Sequence, residues 1–166
     1  MSIELDDSRF HQIVFLTLGK DPSLETYETR ALIAIAQLAA WGDLAEDAEE
    51  RALLDRTITH LCVHGGIDPD SVQPLSRIPF DDEERISRIG ELADDLERVG
   101  VRELAYVLAY LLIVADHQLA RPEARLLEDF QRALAVPEGR ATELVREAAR
   151  IVTPAEVLTA EARPTS

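Results

Sequence analysis

Two pairs of acidic residues occur at the same spacing in two parts of the chain. Asp43 is followed seven residues later by Glu50, and Asp116 is followed seven residues later by Glu123. Each Asp falls in a predicted turn, and each Glu falls near the start of the next predicted helix. Carboxylate oxygens are the ligands that Ca²⁺ and Mg²⁺ prefer in proteins. If the pairs converge in the fold, they predict one shared divalent-cation site.

The same four carboxylates have a second interpretation. Free backbone amides and the helix dipole favour acidic side chains at helix starts, so these residues can be helix-start residues without a ligand. The spacing is not that of an EF-hand loop, because Ala45 and Leu54 stand where the third and twelfth ligands would be. Both interpretations remain open on the sequence.

The histidines give a weaker indication of metal chemistry. His60 and His64 are four residues apart on one predicted helix face, a spacing that can bind zinc. Leu61 stands where the zinc-protease motif HExxH requires Glu, and no third ligand is evident. His64 also suits a helix C-terminus through the helix dipole. His117, next to Asp116, could act as a base, or it could be a solvated turn residue.

The chain carries none of the common motifs for nucleophilic or nucleotide chemistry. The patterns GxSxG, GxxxxGK[ST] and GxGxxG are all missing from the sequence. Cys62 is the only cysteine, which excludes an internal disulfide and predicts a buried structural thiol. We therefore expect no serine hydrolase and no P-loop or dinucleotide-binding enzyme.

Length and charge restrict the partners. The 166 residues correspond to about one domain, and 17 basic against 32 acidic residues give a net charge of −15. Such a surface repels nucleic acids and anionic lipids, so we expect a protein partner with a basic surface or a membrane-associated complex. The start MSIELDD has no basic segment typical of a secretory signal. We expect a cytoplasmic protein without direct membrane insertion.

The fold that must position these residues is predicted to be all-α, with about seven helices. Helix-forming Ala, Leu, Glu and Arg dominate, and capping signals divide the chain. The predicted helices run from Ser8 to Leu18, from Asp21-Pro22 to about Trp41, from about Asp47 to Gly66, from Asp81 to Val99-Gly100, from Arg102 to Ala115, from Arg121 to before Pro137, and from there to Thr153.

The run from Leu104 to Ala115 is apolar on every face. Its twelve residues are too few for a membrane span, which needs roughly 20. A helix of this kind belongs at the centre of a bundle. Residues 65–79 are predicted as a long loop, residues 1–152 as one helical domain, and residues 153–166 as a C-terminal tail.

The chain contains an internal repeat. A shift of 73 residues superimposes Asp43 on Asp116 and Glu50 on Glu123. It also pairs apolar positions, namely Leu38 with Leu111, Leu53-Leu54 with Leu126-Leu127, Leu61 with Leu134, and Val63 with Val136. We expect two pseudo-symmetric helix–loop–helix units packed around the central apolar helix.

The second copy of the repeat resembles a known family. The segment ADHQLARPEARLL, from Ala115 to Leu127, resembles the TerB-like tellurite-resistance family through the pattern A-D-G-x-[ILV]-x-x-x-E-x-x-x-[IL]. His117 replaces the usual Gly, and in the first copy Glu46 occupies an apolar position. The resemblance implies an all-helical domain, a context of tellurite resistance or general stress response, and a relation to membrane-anchored J-domain co-chaperones.

Two hypotheses about function follow. The leading one is a non-enzymatic, acidic interaction module of a stress-response system, with or without a bound divalent cation such as Ca²⁺ or Mg²⁺. The alternative is a metal-dependent hydrolase that uses Asp43, Glu50, Asp116 and Glu123 as metal ligands. The acidic runs at residues 46–50, 81–84 and 94–97 are either solvated helix faces or docking surfaces.

Overall fold

The computed structural model describes residues 3–41, 48–72, 81–114 and 121–153. Within these ranges the chain forms no strand and seven α-helices: α1 Asp7–Leu18, α2 Thr26–Trp41, α3 Ala48–Gly65, α4 Asp82–Asp94, α5 Val99–Ile113, α6 Arg121–Ala133 and α7 Glu138–Val152. A short 3₁₀ helix, Pro69–Ser71, lies in the predicted long loop. The prediction of an all-α fold with seven helices is confirmed.

Helix α5 is the centre of the bundle. It packs against α1, α2, α3, α6 and α7. All of its residues from Glu103 to Ala109 are buried, and so are Leu111, Leu112 and Ile113. The apolar run in the sequence therefore predicted the central helix correctly. No helix in the described ranges is long and apolar enough to cross a membrane.

The repeat is visible in the helix boundaries. Helix α5 begins 99 − 26 = 73 residues after α2, and α6 begins 121 − 48 = 73 residues after α3. Leu38 and Leu111 are both 1% exposed, and Leu61 and Leu134 are both fully buried. We call α2–α3 the first unit and α5–α6 the second unit.

One matched pair of the repeat does not share an environment. Val63 is 76% exposed, whereas Val136 is 5% exposed. Val63 still belongs to α3, which ends at Gly65, and it lies on the solvent-exposed face of this helix. Val136 instead follows the end of α6 at Ala133, in the turn that leads to α7. There the Val136 amide donates to Gln131 O at 3.1 Å.

Two predicted helix ends were wrong. Helix α2 begins at Thr26 instead of Asp21-Pro22, because tertiary contacts bind backbone oxygens of the preceding segment: Arg98 donates to Asp21 O, and His64 donates to Pro22 O. Helix α4 ends at Asp94, and Val99-Gly100 opens α5 instead of ending α4. A Cβ atom on Gly100 would lie 2.5 Å from Thr17 O, so this glycine permits close packing on α1.

Two buried carboxylates, one near the start of α2 and one near the start of α5, each bind an arginine from another segment; we call these two contacts the clamps. In the first clamp, Arg98 donates from Nε to Glu28 Oε2 at 2.9 Å and from NH2 to Glu28 Oε1 at 3.1 Å. It also donates to Ser23 O at 2.6 Å and forms an ion pair with Asp21. Glu28 Oε1 accepts a second hydrogen bond from the Glu25 amide at 2.8 Å, which caps the first turn of α2.

The second clamp repeats this arrangement at the start of α5. Arg140 of α7 donates from Nε to Glu103 Oε2 at 2.9 Å and from NH2 to Glu103 Oε1 at 3.0 Å. It also donates to Leu16 O at 3.1 Å and to Glu143 at 2.9 Å. Each clamp therefore joins three segments of the chain through one planar guanidinium.

Candidate partner-binding surface

The four carboxylates predicted to bind a cation cannot be placed in a site. Asp43 and Asp116 lie outside the described residues. Glu50 belongs to α3 and Glu123 to α6, but their side chains also lie outside the described part of the structure. The shared cation site therefore stays a prediction. His117 lies outside the described residues as well.

The histidines of α3 take part in packing. The His60 ring stacks on Phe10 with centroids 4.9 Å apart, and its Nε2 donates to Leu5 O at 2.8 Å. The His64 ring donates to Pro22 O. Both side chains thus contact backbone oxygens of the N-terminal region. Among the described residues, no group of three or more His, Cys, Asp or Glu side chains could hold a metal ion.

Cys62 lies in the core, as predicted. Its side chain is fully buried. Burial raises the pKa of the Cys62 thiol above its ordinary value. A thiol that is neutral and inaccessible is a poor nucleophile, so Cys62 has a structural role in packing.

The groove with the clearest binding character lies between α2 and α4. It has a volume of about 490 Å³ and is lined by Tyr27, Arg30, Ala31, Leu92, Asp95 and Glu97. Tyr27 lies in the first turn of α2 and is 51% exposed, although most large apolar side chains in the described ranges are buried. The α4–α5 connection brings Asp95 and Glu97 to the same groove. We call this surface the Tyr27 groove.

The first clamp positions this groove. Arg98, which grips Glu28 in α2, follows Glu97 directly in the chain. The bidentate contact therefore holds the α4–α5 connection against the first turn of α2, where Tyr27 lies. Because Arg98 neutralises Glu28, the acidic character of the groove comes from Asp95 and Glu97, whose two negative charges outnumber the one positive charge of Arg30 in the lining.

The surroundings of Tyr27 are electrostatically negative. Partial burial raises the pKa of the Tyr27 hydroxyl, and the charges of Glu28, Glu97 and Glu25 raise this pKa further, against a smaller opposing effect of Arg98. Asp95 and Glu97 form no ion pair with any described residue. An aromatic ring beside two free carboxylates is suited to bind an ammonium or guanidinium group.

A second groove lies between α6 and α7 above α5, with Tyr106 among its lining residues. A third depression is lined only by residues of α4, namely Glu83, Glu84, Ser87, Arg88 and Glu91. Because these five side chains follow one face of a single helix, the third depression is a solvated helix surface. It contains Glu83 and Glu84, two of the four residues of the acidic run at residues 81–84.

The comparisons with known proteins leave the chain without a family assignment. No protein-family model matches it, and no curated protein and no solved structure is significantly similar to it. The resemblance to the TerB-like family therefore stays a prediction.

Sequence reasoning identified the acidic run at residues 94–97 as a possible docking surface but did not connect it with Tyr27. The missing signal is tertiary, because Tyr27 and Glu97 are 70 positions apart and meet through the pairing of α2 with α4. A search for polar and aromatic residues in the outward-facing positions of α2 would have singled out Tyr27.

Proposed function

We propose that this protein is a non-enzymatic, acidic helical module that binds a partner protein with a basic surface through the Tyr27 groove. The observation that carries the proposal is that the half-exposed Tyr27 lines one groove with Asp95 and Glu97, whose carboxylates form no ion pair with a described residue. Aromatic residues at the centre of a patch commonly provide most of the binding energy of a protein interface. Surrounding charges mainly control the partner choice and the association rate.

The groove residues support binding better than catalysis. Its lining contains no Ser, Cys or His side chain that could act as a nucleophile or as a base near neutral pH. The net charge of −15 also favours basic partners. The resemblance to the TerB-like family adds a proposed context of tellurite resistance or stress response, in which the partner belongs to a membrane-associated complex. A divalent cation bound by Asp43, Glu50, Asp116 and Glu123 is part of the same proposal.

The test is a quantitative pull-down with three forms of the protein. Wild type, Asp95→Asn with Glu97→Gln, and Tyr27→Ala are each immobilised and incubated with lysate of the source organism. The matched control is Glu83→Gln with Glu91→Gln, which removes the same charge from the outer face of α4. Bound proteins are quantified by mass spectrometry and then titrated in purified form.

We expect at least one partner whose affinity falls about tenfold in each groove variant and changes less than about twofold in the control. The affinity should decrease with added salt, because the contact is electrostatic. Equal losses in the groove and control variants would mean that the total charge, and not the groove, attracts the partner. That result would refute the proposal.

A further inference from the structure

We propose that the groove between α6 and α7 is a binding site for a small aliphatic amine with two or more ammonium groups. This groove has a volume of about 660 Å³, which lies within the ordinary range of small-molecule sites, roughly 300–1,000 Å³. It is separate from the Tyr27 groove and shares no lining residue with it. The inference does not depend on the proposed function.

The hydroxyl of Tyr106, a residue that is otherwise buried, has no hydrogen-bond partner among the described residues. Tyr106 of the central helix α5 is 4% exposed and lines the groove. Its hydroxyl makes no hydrogen bond to any described residue, yet it is not sealed from solvent. Burial and the nearby Tyr110 raise the pKa of Tyr106, so the phenol is neutral and can both donate and accept. Tyrosine hydroxyls of buried residues usually have a partner, and because Tyr106 lines the groove, a ligand bound there can supply one.

The rim of the groove is rich in acceptors. Glu128 of α6 and Glu138 of α7 are exposed, and neither forms an ion pair with another described residue. Thr142 donates its hydroxyl proton to Glu138 O at 3.1 Å. Its hydroxyl oxygen can therefore take part in a further hydrogen bond only as an acceptor. These acceptors favour a ligand with several hydrogen-bond donors, and the two carboxylates favour one that is positively charged.

The remaining side chains further define the ligand. Gln131 donates its amide N–H to Val136 O at 3.1 Å, so its side-chain carbonyl is available as another acceptor. Arg132 is the one basic side chain among the lining residues, and it is paired with Asp129 at 3.3 Å. Ala141 and Val145 add apolar surface that suits methylene groups. Ammonium groups joined by methylene segments match this combination of acceptors and apolar surface.

The direct test uses 1,4-diaminobutane as the probe, with binding measured by calorimetry and by NMR of the backbone amides around the groove. Butylamine provides one ammonium group, 1,4-butanediol provides none, and Mg²⁺ provides the same charge without methylenes. We expect saturable binding of one diamine per chain, weaker binding of butylamine by about tenfold or more, and no binding of the diol.

Three variants locate the binding. Tyr106→Phe should weaken diamine binding about fivefold, because it removes one hydrogen bond. Glu128→Gln with Glu138→Gln should weaken it about tenfold or more. Glu83→Gln with Glu91→Gln removes the same charge elsewhere and should change the affinity less than about twofold. Both carboxylates of the groove are exposed, so the double variant will fold even if Tyr106→Phe is destabilised, which thermal melting checks.

Several results would overturn the proposal. Equal losses in the two double variants, or displacement of the diamine by Mg²⁺ at equal charge concentration, would indicate diffuse electrostatic attraction. An unchanged affinity in Tyr106→Phe would show that the ligand does not reach the phenol. Tighter binding of a lysine-containing peptide than of the diamine, with shifts at the same amides, would assign the groove to a protein segment instead. None of these results affects the Tyr27 groove.

Discussion

The two repeat units share a helical frame but differ in where they keep polar groups. The helices of the second unit begin 73 residues after those of the first. The first helix of each unit, α2 or α5, has a carboxylate near its start that forms an ion pair with an arginine from another segment. Helix α2 has exposed residues, including Tyr27 and Arg30, whereas α5 is covered almost completely. Helix α5 of the second unit therefore lies at the centre of the core, whereas α2 of the first unit keeps exposed residues that line the Tyr27 groove.

The largest expected effect concerns the core of the second unit. Leu108→Ala should lower the free energy of unfolding by about 2–5 kcal/mol, because Leu108 is 1% exposed on the helix that contacts five others. Ile35, its repeat equivalent in α2, is also fully buried, so Ile35→Ala should fall in the same range. Urea unfolding measures both. A cost below about 1 kcal/mol for Leu108→Ala would place α5 outside the core.

The clamps provide the next effect. Arg98→Ala and Arg140→Ala should each lower the free energy of unfolding by about 3 kcal/mol, because each leaves a buried carboxylate without its partner. Loss of the first clamp should lower the free energy of unfolding more than loss of the second, because the side chain of Glu28 is 1% exposed and that of Glu103 is 10% exposed. Arg150→Ala is the control, because Arg150 pairs with Glu147 at the surface and should change stability by less than about 0.5 kcal/mol.

The first clamp also predicts a pH dependence. Burial raises the pKa of Glu28, but the hydrogen bonds from Arg98 and the Glu25 amide outweigh burial and hold this pKa below its ordinary value of 4.5. Because the pKa is lower in the folded state, the stabilisation is complete above pH 4.5 and is lost as pH falls through the folded value. Glu28→Gln should flatten this acid limb of the stability curve. An unchanged slope would show that Glu28 does not contribute to it.

The predicted cation site tests whether the two units act together. If Asp43, Glu50, Asp116 and Glu123 share a cation, calcium should raise the melting temperature by several degrees, since ligand at about one hundred times Kd adds roughly 2.7 kcal/mol. Sodium chloride at matched ionic strength controls for screening of the acidic surface. Asp116→Asn with Glu123→Gln should abolish the calcium-specific shift. An equal rise of the melting temperature in wild type and in this double variant would mean that the carboxylates are only helix-start residues.

The smallest effect concerns the ends of α3 and α6. Each helix is followed by a residue in the left-handed conformation, Gly66 with φ 68° after α3 and Ala135 with φ 56° after α6. The amide of the next residue then donates to the carbonyl oxygen five positions earlier, from Ile67 to Cys62 and from Val136 to Gln131. Gly66→Ala should destabilise by about 1 kcal/mol through backbone strain alone, because no atom lies within 4 Å of the added Cβ. Ala135→Gly should stabilise by up to about 1 kcal/mol. Thermal melting of both variants checks these opposite signs, and equal signs would contradict the shared motif.

Local signals in the sequence determined most of the helices. The Asp81 cap is present, since its side chain accepts from the Glu84 amide at 2.7 Å, and the predicted break at Gly65-Gly66 is where α3 ends. The errors arose where distant residues decide the local structure. Asp21-Pro22 has the composition of a helix start. However, Arg98 and His64 bind the backbone oxygens of these two residues, and α2 begins only at Thr26.

The helical class, the repeat of 73 residues and the central position of α5 follow from the sequence alone. Capping, periodicity and the burial of a wholly apolar run are local effects that depend on neighbouring residues. Which polar residues meet depends on how the helices pack. Tyr27 and Glu97 come from different helices, as do Tyr106 and Glu138, and no local pattern encodes their proximity. Surface grooves form where helices pack side by side, so their lining residues are selected by packing across the bundle and not by spacing along the chain.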